Sequence, residues 1–285
     1  MTKRLWKKLR LKTVVIHVVA WSVGLAWLVP FLGVFSTAVR PMNEIALGWW
    51  NVDSFHPSIS NFVTALTHPT ISMSRGYANS FLIAIPATII PVLVATLAGY
   101  GFSRFRFPFR DHLFLSIVLL MSVPQQMVAI PIFRLMNDLR LYDNLTALIL
   151  VHSAWGLPWI VLFMRNFVRA LPLEVEEAAR VDGAGDFKIF SKIVFPMAIP
   201  ALASAAVLQF MWVWNDFFFA LILLVSPENF PVTRIIPDLG AAGSRGMDWG
   251  LLSAGSLLAM LVPMILYVLT SRYYIRGMIG WTLKG

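Results

Sequence analysis

Six apolar blocks, each about as long as a bilayer is thick, constrain this chain more than any other feature. They cover roughly positions 13–39, 77–103, 113–133, 145–164, 199–225 and 249–271. A hydrocarbon core of about 30 Å takes about 20 helical residues to cross. The blocks are continuous, whereas barrel strands would alternate in polarity over about 10 residues. Hydrophobic residues make up 58% of the chain and charged residues 13%, against about 25% charged in a soluble domain. The expectation is an all-α membrane protein with six transmembrane helices. The basic start followed by a long apolar run is too long for the core of a cleaved signal peptide, so the first block reads as an uncleaved span.

Orientation follows from Lys and Arg. Six precede the first block, three lie between the second and third, five between the fourth and fifth, and three after the sixth, seventeen of the 23 in the chain. The other segments hold two each: Arg40 and Arg75, Arg134 and Arg140, Arg234 and Arg245. The positive-inside bias therefore places both termini in the cytoplasm. It also accounts for the net charge of +9, which faces anionic lipid rather than nucleic acid. The absence of cysteine excludes disulfides, thiol metal sites and thiol nucleophiles. His56 and His68 have no ligand cluster around them, so no metal site is expected.

Each block contains proline: Pro30, Pro86 and Pro91, Pro124 and Pro131, Pro158, Pro200, Pro263. Proline is common in membrane helices, and it also frees carbonyls and kinks helices that must move. Ala95, Gly99 and Gly101 are small enough to let a neighbouring helix approach closely.

The segment 170–196, ALPLEVEEAARVDGAGDFKIFSKIVFP, reads as two short helices joined at a glycine corner. Pro172 suits a first turn, and Glu174, Glu176 and Glu177 complement its dipole. Val175, Ala178 and Ala179 share a face. Gly183 and Gly185 end the first helix and Asp186 can cap the second, whose apolar stripe is Phe187, Phe190 and Val194. The result is an amphipathic knob on the cytoplasmic surface.

The spacing of Glu177-Ala178-Ala179, Gly183 and the Ile193 to Pro196 run resembles the EAA signature of bacterial ABC importer permeases, with Phe195 where that family usually has leucine. The WNDF run (214–217), the DWG run (248–250) and the LKG end (283–285) are similar to the carbohydrate branch, in particular the smaller permease of maltose-type systems. The resemblance implies a type I ABC importer transmembrane domain in a bacterial or archaeal cytoplasmic (inner) membrane. It divides the chain into an N-terminal part with the first helix and outer loop (1–72), a transmembrane type-1 domain (73–272) and a cytoplasmic tail (273–285). It implies coupling to an ATPase through Glu177, Ala178, Ala179, Asp182, Gly183 and Phe187. It also implies two ATP-binding subunits, a second homologous permease and a periplasmic or lipid-anchored sugar-binding protein. Independently, the chain has no GxxxxGK[ST] phosphate loop, so ATP and magnesium belong to a partner and no cofactor is expected here.

The path for a transported sugar or sugar derivative is marked by polar residues inside the blocks. Asp216 is expected well inside the fifth, where a carboxylate costs about 2.5–3.5 kcal/mol unless it meets water or a partner. Asn215, Trp212 and Trp214 stand beside it, and Gln125, Gln126 and Asn79 are similar candidates for ligand contact. An interhelical hydrogen bond is the alternative for each. His152 reads as a packed or hydrogen-bonded histidine rather than a proton relay. The outer stretch GAAGSRG (240–246) is flexible enough to reach a binding protein. The alternative function is an ion-coupled secondary transporter or a channel, but no repeat is visible and the loop signature would go unexplained. A membrane enzyme lacks convergent catalytic groups.

Overall fold

The computed structural model describes residues 2–51, 53, 55–241 and 246–282, with side chains from Lys12 to Thr270. The LKG end and positions 242–245 of the GAAGSRG stretch lie outside the described residues, as do the side chains of the basic residues before Lys12 and after Thr270. Fourteen α-helices follow one another, with no strand among the described residues: α1 (Thr2–Ala38), α2 (Met42–Ile45), α3 (Ser60–Thr67), α4 (Met73–Ala84), α5 (Pro86–Arg104), α6 (Arg110–Leu119), α7 (Ala129–Asp138), α8 (Leu145–Ala170), α9 (Glu174–Val181), α10 (Asp186–Ile189), α11 (Phe195–Trp214), α12 (Phe218–Leu223), α13 (Val232–Ala241) and α14 (Trp249–Thr282). Among the described residues, five stretches are long and apolar enough to cross a bilayer: Lys12–Ala38, Met73–Arg104, Leu145–Ala170, Asp186–Trp214 and Trp249–Thr270.

The third and fifth expected spans differ from the sequence reading. The third is two pieces, Arg110–Ser122 and Gln125–Asp138, bent by 97°. Pro124 has extended backbone at ψ 134°, which stops the first piece and turns the chain. The fifth does not continue to position 225. Its helix ends at Trp214, Asn215 closes it, and α12 starts afresh at Phe218.

The chain forms two compact units. One comprises 1–68 and 236–258. Here α1 is exposed from Lys12 to Leu32, while Gly33 and Ala38 are buried near its end. The Asn61 amide donates to the carbonyls of Ala38 and Arg40, at 3.0 and 2.8 Å, satisfying acceptors that the end of α1 leaves open.

The other unit comprises 69–235 and 259–285. Its core is the seam of α5, α8 and α11, where Val92, Ala95, Ile160, Met164, Ala198, Ala201 and Ala205 are buried together. Small residues set that distance, because lipid offers no hydrophobic drive between helices. A Cβ on Gly99 would come within 2.8 Å of the Arg165 backbone nitrogen, so α5 and α8 touch backbone to backbone there. Gly101 has open space instead.

Two prolines leave carbonyls that α11 repairs. Pro91 has no N–H for the carbonyl of Ala87, and Gln209 Nε2 donates to that oxygen at 3.2 Å. Pro263 does the same to Ala259, whose carbonyl accepts from Trp214 Nε1 at 3.1 Å. Such replacement partners are what make proline tolerable in a membrane helix.

Candidate functional site

Two features of the larger unit gather most of the residues singled out in the sequence: the knob between α8 and α11, and a cavity at the break after α11.

The knob follows the sequence pattern with three local differences, the first being that Pro172 precedes the N-cap Leu173 and lies outside α9. Helix α9 starts after Leu173 with three acids in its first turn and ends at a left-handed Gly183, φ 78°. The Gly183 and Ala184 N–H groups donate back to Arg180 and Ala179 at 3.0 and 2.9 Å, closing the helix as a glycine C-terminus does. Asp186 does not cap α10, whose N-cap is Gly185; its carboxylate pairs with Arg180 at 2.7 Å across the corner. Nor does the stripe stay together. Phe190 and Val194 are buried with Ile189, Tyr100 and Val168, while Phe187 is 79% exposed. The chain widens into a π-helical turn over Phe190–Val194 before α11 begins, a departure that recurs at functional sites.

The residues singled out for coupling lie together on the outer side of this corner. Glu177, Ala178, Asp182, Gly183 and Phe187 are exposed and Ala179 is half-buried. Val181, which sequence reading passed over, is 89% exposed beside them. Val181 and Phe187 both leave most of their apolar surface uncovered on this corner.

The opposite side of α9 is anchored by a pair that the sequence did not suggest. Glu176 is 2% exposed, and its Oε1 lies 2.7 Å from both Nε and Nη2 of Arg104 at the end of α5. Nη2 also donates to the Leu171 carbonyl at 3.3 Å. The first acid of the Glu176-Glu177 doublet thus faces the spans and the second faces outward.

The cavity has a volume of about 510 Å³. Its wall includes Gln125 from the bend after Pro124, His152 and Trp155 from α8, Trp212 from α11, and Asn215 and Asp216 from the break. Asp216 therefore sits between helices rather than inside one. Its Oδ2 accepts from the N–H groups of Phe219 and Ala220 at 3.1 and 3.2 Å, capping α12, and lies 3.4 Å from His152 Nε2. Both side chains are about nine-tenths buried. The Asn215 amide donates to the Met211 carbonyl at 2.8 Å. The indole of Trp212 is 65% exposed, its centroid 6.2 Å from that of Trp159.

Three sequence candidates fall elsewhere. Gln126 is exposed and outside the cavity wall. Asn79 is buried, donating to the carbonyls of Glu228 and Phe230 at 2.7 and 3.1 Å, which ties α4 to the loop before α13. Trp214 is packed against Phe81 and Phe210. Gln209 was missed. It is 2% exposed, donates to the His152 carbonyl at 3.1 Å and accepts from Trp159 Nε1 at 3.1 Å, so it forms the floor beneath His152. No cluster of three metal-ligating side chains occurs among the described residues.

The larger unit thus combines a broken third span, a knob with an exposed glycine corner and a buried polar break after α11. Residues 88–278 match the family described as "Binding-protein-dependent transport system inner membrane component". The chain belongs to that family and is a permease subunit of a binding-protein-dependent ABC importer. It is 51% identical, over 94% of its length and 96% of the relative's, to a probable ABC transporter permease protein of Pyrococcus horikoshii. It is 36% identical, over 80% of its length and 60% of the relative's, to the alpha-glucoside transport system permease protein of Rhizobium meliloti. Its fold is that of a chain in a bacterial ABC transporter involved in the import of the acidic polysaccharide alginate, with a TM-score of 0.78, 22% identity, and coverage of 93% and 97%.

Proposed function

We propose that this permease forms half of the pathway for a sugar or sugar derivative and takes its driving force from a separate ATPase through the corner 177–187. Two ATP-binding subunits hold ATP and magnesium, a second related permease completes the pathway, and an external binding protein delivers the cargo. The chain itself needs no cofactor and hydrolyses nothing. In this reading 1–72 is an N-terminal attachment with one span, 73–272 is the transport domain and 273–285 is a tail.

One observation carries the reading. The segment between α8 and α11 buries Glu176, Ile189, Phe190 and Val194 against its own spans and leaves Glu177, Ala178, Val181, Asp182, Gly183 and Phe187 uncovered. That is a surface with a rigid back and a free front, which is what transmission of force between subunits needs. The cavity supports the cargo class. It combines indole faces with amide and carboxylate edges, as polyhydroxylated ligands require, and the Rhizobium meliloti relative is named for alpha-glucoside transport. With both termini cytoplasmic, His152 lies about 10 Å along α8 from its outer end at a rise of about 1.5 Å per residue, so cargo arriving from outside meets the cavity early.

The test is purification of the tagged chain in mild detergent and mass spectrometry of what accompanies it. A P-loop ATPase and a second permease are expected. A homo-oligomer with no ATPase would overturn the coupling arrangement.

A further inference from the structure

We infer that the cavity beside Asp216 accepts uncharged polyhydroxylated rings and refuses anionic ones, so that the cargo is a neutral saccharide or polyol rather than a uronate or a sugar phosphate. This rests on the reading of the cavity as part of the cargo path.

The lining holds no lysine and no arginine. Its only formal charge is the carboxylate of Asp216, and a fully protonated His152 at 3.4 Å would only cancel it. A phosphate or carboxylate on the cargo would therefore enter a half-open, aromatic-walled space whose lining has no lysine or arginine to pair with it and already holds one carboxylate. Desolvating an unpaired anion there is unfavourable, and like charges brought together inside a site discriminate strongly.

A neutral ring fits the same groups well. Oδ2 of Asp216 is already occupied by two backbone N–H groups and His152. Oδ1 has only one long contact, to the Phe219 N–H at 3.5 Å, so it keeps acceptor capacity for a sugar hydroxyl. Gln125 and Asn215 add amide groups on the same wall, and Trp155 and Trp212 provide apolar faces for the C–H side of a ring. The volume, about 510 Å³, lies within the roughly 300–1,000 Å³ of clefts that bury small ligands.

Saturation-transfer NMR on the complex that co-purifies with the tagged chain tests this, with glucose and maltose against glucuronate and glucose 6-phosphate. Wild type should transfer saturation to the neutral pair alone. Trp212→Ala, at an exposed position, should remove that signal. Asp216→Asn keeps a capping oxygen and should weaken glucose by about tenfold, the loss of one hydrogen bond to a charged acceptor, while admitting glucuronate. Glucuronate binding to wild type as tightly as glucose, with the signal still lost in Trp212→Ala, overturns the neutral-cargo inference and leaves the path reading standing. No Trp212-dependent signal from any probe, with uptake unchanged in both variants, overturns the path reading and the inference together.

Discussion

Arg104 and Glu176, 72 positions apart, share one buried ion pair in which a single carboxylate oxygen lies 2.7 Å from two guanidinium nitrogens. Arg104 is the last residue of α5 and Glu176 lies in the first turn of α9, so the pair joins a span to the back of the 177–187 corner. Their side chains are 9% and 3% exposed. Removing one partner of such a pair leaves a buried charge alone, at a cost of about 3–5 kcal/mol. Glu176→Gln should therefore lower the thermal midpoint of the detergent-solubilised protein and loosen the corner to proteolysis, whereas Glu177→Gln, on the exposed side, should leave both unchanged. Equal effects at the two positions would contradict the assignment of inner and outer faces.

At Gly183 the requirement is conformational. Its φ is 78°, and a Cβ there would meet nothing within 4 Å. The left-handed conformation costs a residue with a side chain roughly 1–2 kcal/mol, least for asparagine. Gly183→Val should reduce recovery of the ATPase with the tagged chain, and Gly183→Asn should retain most of it. Loss in both would indicate that the partner's surface, not the backbone, demands glycine.

Gly156 and Gln209 test each other. A Cβ on Gly156 would fall 2.5 Å from Gln209 Nε2, and the Gln209 amide serves carbonyls of Ala87 and His152. Gly156→Ala should destabilise by displacing that amide, since each buried group left unpaired costs about 1–3 kcal/mol. Gln209→Ala should do the same. In the double variant the alanine at 156 has room, so the second substitution should add little. Full additivity of the thermal shifts would contradict the contact.

Asp143, in the turn before α8, carries the acid dependence of one loop. Burial pushes its carboxyl up, but hydrogen bonds from the Ser226 hydroxyl, the N–H groups of Val225 and Ser226, and the Asn229 amide outweigh it and hold the group below the usual carboxylate range. A depressed native value means the stabilisation is complete above the unfolded value, about 3.9, and is lost as pH falls through the lower native one. Proteolysis of the 224–230 loop should therefore accelerate below about pH 4. Asp143→Asn should be cleaved faster at pH 7 and lose most of that acid response. An unchanged acid response in the variant would contradict this origin.

The long spans were legible because lipid demands unbroken apolar helices, and the two short helices of 174–189 were legible because Gly183 and the acids of the first turn follow local rules for helix ends. What escaped was non-local. Proline occurs in every block, and inside α8 and α14 the helix continues through Pro158 and Pro263, so Pro124 could not be recognised as a 97° break. Asn215 and Asp216 drew notice as polar residues in an apolar run, yet they also mark the end of a helix, which the hydropathy of the run conceals. The Arg104–Glu176 and His152–Asp216 pairs join residues far apart in the chain, which no periodicity connects.

The most direct test of the account uses the absence of native cysteine. Val181→Cys places one thiol at a position 89% exposed on the corner, and Trp50→Cys places one at a position 70% exposed in the segment after the first span. Each is tagged with a photoactivatable crosslinker and irradiated in membranes before purification. An adduct with a P-loop ATPase from position 181 and none from position 50 is the expected result. An ATPase adduct from position 50, or none from position 181 in membranes that contain the assembled importer, would contradict the claim that this corner receives the driving force.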